Sequence, residues 1–187
     1  MDAREEISRI TRELEHLQKR YDQVAALSRS AIRYAGEAIT LIHIKDRKAA
    51  DSKIRLLKNE IAKLRKVDGS FEYYSQQAYQ EYVEAIVLYN LIWNGKLMTS
   101  KDLSVGPVEY MLGLMDVFGE LKREAYEAMR HGKSEDAEKY YNIMRELYDA
   151  TMHIRFANAI MPGFRKKQDV ARIQLETTGS DLLRFHK

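Results

Sequence analysis

ISRITRELEHLQKRYDQVAALSRSAIRYAGEAITLI, residues 7–42, places apolar or small side chains at Ile7, Ile10, Leu14, Leu17, Tyr21, Val24, Ser28, Ala31, Ala35, Ala38 and Ile42. The spacing alternates between three and four, a heptad pattern held for about five repeats. It predicts a single helix of about forty residues. In the second half Ser28, Ala31, Ala35, Gly36 and Ala38 are small enough for another backbone to come close. A second stripe, Ala50, Ile54, Leu57, Ile61 and Leu64, predicts a second helix ending near Asp68-Gly69.

The rest of the chain reads the same way. Two prolines in 187 residues leave room for long helices. Residues 71–93 are apolar almost all round, which predicts a central helix, and Asn94-Gly95 ends it before a polar loop reaching Gly106. Pro107 suits a first helical position. The helix it opens runs to about His131, with Val108, Met111, Met115, Phe118, Ala125 and Met129 inward. Ser134 is the expected cap of the next, which carries Ala137, Tyr141, Met144, Tyr148 and Thr151 and stops near Pro162-Gly163. A last helix holds Val170, Ile173 and Thr177 and breaks near Gly179. No strand-period segment or internal repeat stands out. The expectation is an all-α bundle of about six to seven helices with a long N-terminal helix, one domain over residues 1–187.

Composition excludes several functions. The absence of cysteine removes disulfides, a thiol nucleophile and thiolate metal sites. The first twenty residues are dense in both charge signs, unlike a secretory leader. The longest apolar stretch, residues 85–93, is interrupted by Asn90 and too short to span a bilayer. A soluble cytoplasmic protein without a membrane partner is expected. Apolar content of 45% with 32% charged residues fits a folded chain, and the net charge of +3 identifies no partner by itself. There is no Gly-x-Ser-x-Gly elbow and no phosphate-cradling glycine loop. The five histidines, His16, His43, His131, His153 and His186, form no cluster in sequence.

The acids are placed unusually. Between Ala78 and Trp93 the only charged residues are Glu81 and Glu84, three apart and so on one helix face. Between Val108 and Leu121 they are Glu109, Asp116 and Glu120, in a row with Gly113. Neither stretch holds Lys or Arg. Carboxylates on such helices need a counter-charge, because desolvating an unpaired one costs several kcal/mol. Mg²⁺ is one candidate, since it takes oxygen ligands and keeps several waters. Arg123, or a lysine from another helix, is the competing partner, and Glu109 can face solvent at its helix start. A di-iron bundle needs two inward Glu-x-x-His motifs; the only match, Glu13 with His16, lies off the heptad core.

Basic residues also cluster. Residues 45–66 hold nine Lys or Arg against three acids. On the first helix Arg12, Lys19 and Arg33 share one heptad phase, with Arg20 beside Lys19 and Arg29 one turn before Arg33. Such rows can track a phosphate backbone or be a solvated face. The twelve tyrosines could stack on bases, but most sit at core phases, where packing explains them.

Several of these segments resemble the translin superfamily. Gln80-Glu81-Tyr82-Val83-Glu84-Ala85 is similar to the acidic motif of its translin-associated factor X branch. Residues 109–116 (EYMLGLMD) with 119–123 (GELKR) resemble the superfamily's central helix. Glu146-Leu147-Tyr148-Asp149 resembles its next helix, and Arg165-Lys166-Lys167 with Asp169-Val170 its C-terminal segment. The match runs from about Val24 to Leu183. The resemblance implies about seven helices assembling into a hollow, typically octameric shell with RNA or single-stranded DNA on its inner wall. It further implies an Mg²⁺-dependent endoribonuclease site, Mn²⁺ being an alternative ion, with Glu81, Glu84 and Asp116 as metal ligands and catalytic acids and Glu120 as an auxiliary one. Arg12, Lys19, Arg20, Arg29, Arg33 and Arg123 are the candidate nucleic-acid contacts. Without a long basic N-terminal extension, the chain looks like a compact, archaeal-type homo-oligomer. A non-catalytic single-strand binder resembling translin proper is the alternative, and a scaffold for a protein partner is a third reading.

Overall fold

Residues 2–185 are described by a computed structural model; His186 lies outside them. Among the described residues there are seven α-helices and no strand: α1 Ala3–His43, α2 Arg47–Leu64, α3 Glu72–Asn94, α4 Ser100–Leu103, α5 Pro107–Arg130, α6 Ser134–Thr151 and α7 Phe164–Phe185, with a 3₁₀ turn Gly69–Phe71 leading into α3. The long first helix is present in full. Its N-cap is Asp2, whose side chain accepts from the Arg4 N–H at 3.1 Å, and Glu5 and Glu6 lie in its first turn. Asp46 caps α2 through the Ala49 N–H at 3.0 Å.

Layering follows from which faces are apolar. α1 packs on α2 and α3, α3 on α5, and α5 on both α6 and α7. α3 is the central helix, as its nearly continuous apolar surface predicts. Ala31, Ala35 and Ala38 are fully buried, so α1 lies close against its neighbours there. Around them sit Leu57, Ile61 and Leu64 of α2, Ile86 and Leu88 of α3, Phe118 and Leu121 of α5, and Met144 of α6. No helix among the described residues is long and apolar enough to cross a membrane.

The structure departs from the sequence expectations in five places. Burial on α1 begins only at Val24: Ile7, Ile10, Leu14 and Leu17 are 37–63% exposed. A 41-residue helix is about 62 Å long, and no other helix among the described residues is long enough to cover it. The loop before α5 contains the short α4, closed by a capping box between Thr99 and Asp102. Ser134 is the first helical residue of α6 and not its cap, which is Lys133. α6 ends at Thr151, well before Pro162. Buried Gln168 of α7 donates to the Thr151 carbonyl at 2.7 Å, so a tertiary contact satisfies the exposed helix end. Finally, α7 runs through Gly179 unbroken. The Tyr141 hydroxyl lies 2.9 Å from where a Cβ would stand, so glycine here serves packing. α7 buries Phe164, Gln168, Ala171, Thr178 and Leu182, leaving Val170 and Ile173 outside.

Candidate active site

Gly113 sets the separation of α3 and α5. A Cβ at this position would lie 2.5 Å from the Gln80 carbonyl oxygen and 2.8 Å from Val83 Cβ. That approach brings Glu81 and Glu84 of α3 into electrostatic contact with Asp116 and Glu120 of α5. Glu84 is 9% exposed, and burial pushes its carboxyl up to about 8; the charges of Asp116, Glu81 and Glu120 push the same way, against Lys167. Glu81 is raised from the ordinary carboxylate range, first by burial. The Gln77 amide and Lys167 oppose that rise, and the charges of Asp116 and Glu120 reinforce it. The four acids therefore form one cluster. Glu109 does not join it: its carboxylate turns back over the start of α5, with Gln76 donating to it at 3.4 Å.

Two cations come from distant helices. Lys167 of α7 pairs with Asp116 and reaches the Leu112 carbonyl at 3.5 Å. A lysine from another helix thus takes the place that sequence reasoning left open between it and Arg123. Arg123 is exposed and makes no ion pair among the described residues. On the other flank His43, at the end of α1, bonds Glu120 through Nε2 and Glu124 through Nδ1, the latter at 2.8 Å. Lys45 completes this group on Glu124. The side chains of His43 and Glu124 are each 3% exposed. Burial opposes the imidazolium, but the bonds it donates to Glu120 and Glu124 outweigh it and raise the His43 pKa; Glu124 is lowered, His43 and Lys45 overcoming its own burial.

Glu124 and His43 were missed from the sequence. Glu124 continues the row of Asp116 and Glu120 by one further turn, so a longer window finds it. His43 carries no local signal, because its partners are 77 and 81 residues away. The remaining candidates spread over the surface. Arg12, Lys19, Arg20, Arg29 and Arg33 are all exposed on α1. Arg33 lies 4.6 Å over the Tyr34 ring and Arg20 5.8 Å over Phe71. Part of the basic run at 45–66 is occupied structurally, Lys53 by Glu37 and Lys63 by Glu60, both at 2.6 Å. Glu13 and His16 are exposed, with Glu13 paired to Arg9.

Chemically, the cluster is an all-oxygen donor set with excess negative charge, which suits a hard divalent cation. Glu81 and Glu84 have no ion-pair partner among the described residues, the mark of a site that can take one. Among those residues no three acids or histidines stand in ligating geometry as they are. Lys167 holds Asp116 and His43 holds Glu120, so a cation bound by Glu81, Glu84 and Asp116 must displace the Lys167 ammonium.

A stability test follows from Glu84. Its folded pKa of about 8 lies above the ordinary 4.5, so the unfolded chain releases this proton at lower pH than the folded one. The contribution of Glu84 to metal-free stability therefore falls as pH rises from about 4.5 to about 8. Glu84→Gln removes the ionisation. In EDTA its melting temperature is expected to exceed wild type at pH 8, by an amount worth a few kcal/mol, and to approach wild type near pH 5. Calorimetric melts of both proteins across that range check it; parallel curves refute it.

Seven helices with paired acids on the facing sides of two central ones place the chain among all-α proteins of the translin fold. Similar solved structures include AfC3PO in complex with duplex RNA, with a TM-score of 0.89, 28% identity, and coverage of 97% of this chain and 96% of that one. AfC3PO alone superposes with a TM-score of 0.87 at the same identity, covering 97% of each chain. The fold is also shared by apo-NeC3PO, with a TM-score of 0.89 at 22% identity over 96% of each chain. The chain belongs to the Translin family, whose profile matches residues 2–178. An uncharacterized protein of Methanocaldococcus jannaschii is 33% identical over 168 residues, which is 88% of this chain and 75% of the relative.

Proposed function

We propose that this protein is an RNA-binding, Mg²⁺-dependent endoribonuclease of the factor-X type, acting in the cytoplasm as a homo-oligomeric shell of about eight copies. The observation that carries the catalytic half is the pair of acids, Glu81 and Glu84, held without a cation opposite Asp116 and Glu120. The similarity to AfC3PO, a protein solved with duplex RNA, supports the binding half. The exposed heptad positions Ile7, Ile10, Leu14 and Leu17 support self-association, since α1 has an apolar stripe that its own chain leaves uncovered.

Glu81, Glu84 and Asp116 would hold the ion. Bound Mg²⁺ supplies a Lewis acid at the scissile phosphate and lowers the pKa of a bound water. Glu120, held by His43, would be the residue to orient a water or accept a proton at its carboxylate. Lys167 lines a cavity of about 410 Å³ with Lys166 and Gln174, and there it would meet a phosphate once released from Asp116. Arg12, Lys19, Arg20, Arg29, Arg33 and Arg123 are the proposed backbone contacts for RNA or single-stranded DNA. One observation favours the non-catalytic alternative, a binder resembling translin: the Lys167–Asp116 ion pair already neutralises a proposed ligand.

One experiment separates the two. Labelled RNA is titrated onto the purified protein in EDTA at increasing salt, and Mg²⁺ or Mn²⁺ is then added. Log affinity is expected to fall linearly with log salt, as phosphate contacts release counterions, and cleavage products are expected only after the metal. Binding without metal-dependent cleavage leaves the translin-like reading; no binding removes both.

A further inference from the structure

Most tyrosines are in the packing, but Tyr73 is not. It is 83% exposed, on the first turn of α3. Its ring stands edge-to-face on Tyr74 at 5.4 Å, Tyr74 on Tyr21 of α1 at 5.0 Å, and Phe71 lies 6.1 Å from Tyr21 with the Arg20 guanidinium above it. A buttressed ring with an open face loses little entropy when a planar group stacks on it. Its position along the helix is specific. Tyr73, Gln77, Glu81 and Glu84 follow at intervals of four, four and three, one face of α3. Burial deepens along that face: Tyr73 and Gln77 are exposed, Glu81 is half-buried, Glu84 is buried. At the helical rise, Tyr73 stands about 12 Å before Glu81 and about 16 Å before Glu84, a run of roughly three to five stacked nucleotides.

We propose that Tyr73 is a base-stacking platform that seats a base of single-stranded RNA at the exposed end of the α3 face that carries Glu81 and Glu84. This rests on the RNA-binding reading above and adds a site to it. Every base has a π-face, so the contact gives affinity and register without sequence preference. The Arg20 guanidinium beside the aromatic group suits the adjoining phosphate. The competing occupant is a second copy of the chain, since the exposed α1 stripe continues through Leu17 to Tyr21.

The test compares wild type, Tyr73→Ala, Tyr73→Phe and Tyr73→Trp for binding of labelled oligouridylate in EDTA, with light scattering of each protein free of RNA. Tyr73→Ala is expected to weaken binding about tenfold, within the ~1–3 kcal/mol that one stacked base contributes. Tyr73→Phe and Tyr73→Trp are expected to retain affinity. An oligouridylate with a ladder of abasic positions is expected to lose the same factor at one position on wild type and none there on Tyr73→Ala. Unchanged affinity of Tyr73→Ala overturns the proposal, and so does an altered mass of the RNA-free variant, which assigns the ring to self-association. Failure of wild type itself to bind overturns the RNA-binding reading and this one with it.

Discussion

Asp116→Asn is expected to lower Mg²⁺-dependent RNA cleavage by roughly two orders of magnitude or more while leaving the protein folded. Asparagine keeps the size and the acceptor oxygen but removes the charge through which this residue would hold the ion. The structure also says why folding survives. Asp116 and its partner Lys167 have side chains 34% and 30% exposed, so the broken pair leaves a lysine that water can solvate. Such pairs contribute about 1 kcal/mol at most. Against that small loss, one negative charge disappears from beside Glu81 and Glu84, whose carboxyls Asp116 pushes upward. The melting temperature in EDTA is expected within a few degrees of wild type, and RNA binding in EDTA is expected to persist. Melting and cleavage measured on one preparation decide the matter. A folded variant that cuts at the wild-type rate retires the catalytic assignment.

His43→Ala is the opposite kind of change, with a large effect on folding. The imidazole is almost fully buried between Glu120 and Glu124, and Glu124 is equally buried. Removing it leaves one carboxylate held only by Lys45 and another held by nothing among the described residues. Breaking one side of a buried pair costs about 3–5 kcal/mol, which for a chain of this size lowers the melting point by roughly 10 °C. The wild-type pH dependence carries the same signature. His43 is raised in the folded state, so its contribution is complete below its unfolded pKa and lost as pH rises through the folded value. Glu124 is lowered, so its contribution is complete above its unfolded pKa and lost as pH falls through the folded value. Glu84 adds a loss of its own between pH 4.5 and 8. Comparing His43→Ala with wild type isolates the imidazole: the variant is expected to lose the alkaline step that belongs to His43 and keep that of Glu84. A variant melting within about 1 kcal/mol of wild type at pH 6 refutes the buried-bridge account.

The local part of this protein was legible residue by residue. Spacings of three and four from Val24 to Ile42 specified the buried face of α1, and the nearly all-round apolar surface of residues 71–93 specified a central α3. Pro107 marked the start of α5. The pairs Glu81–Glu84 and Asp116–Glu120 each fall within one helical turn, so their clustering on a face followed from helical geometry alone. Periodicity, however, reports which side of a helix is apolar and not whether another helix reaches it. Ile7 to Leu17 obey the same heptad as Val24 to Ile42 and are exposed, because no other helix among the described residues is long enough to cover both halves. The Thr151 carbonyl at the end of α6 is met by Gln168, and the need for glycine at 179 comes from Tyr141, each on a different helix. The site's counter-charges are of this kind too. Lys167 reaches Asp116 across 51 residues and His43 reaches Glu120 across 77. Sequence established that these acids stand in stretches, residues 78–93 and 108–121, that hold no lysine or arginine. Only the close approach of α3 and α5 at Gly113, with α7 and the end of α1 packed against α5, decided which acids meet and which cations answer them, because Coulomb and hydrogen-bond energies act over a few ångströms of space however far apart the residues lie along the chain.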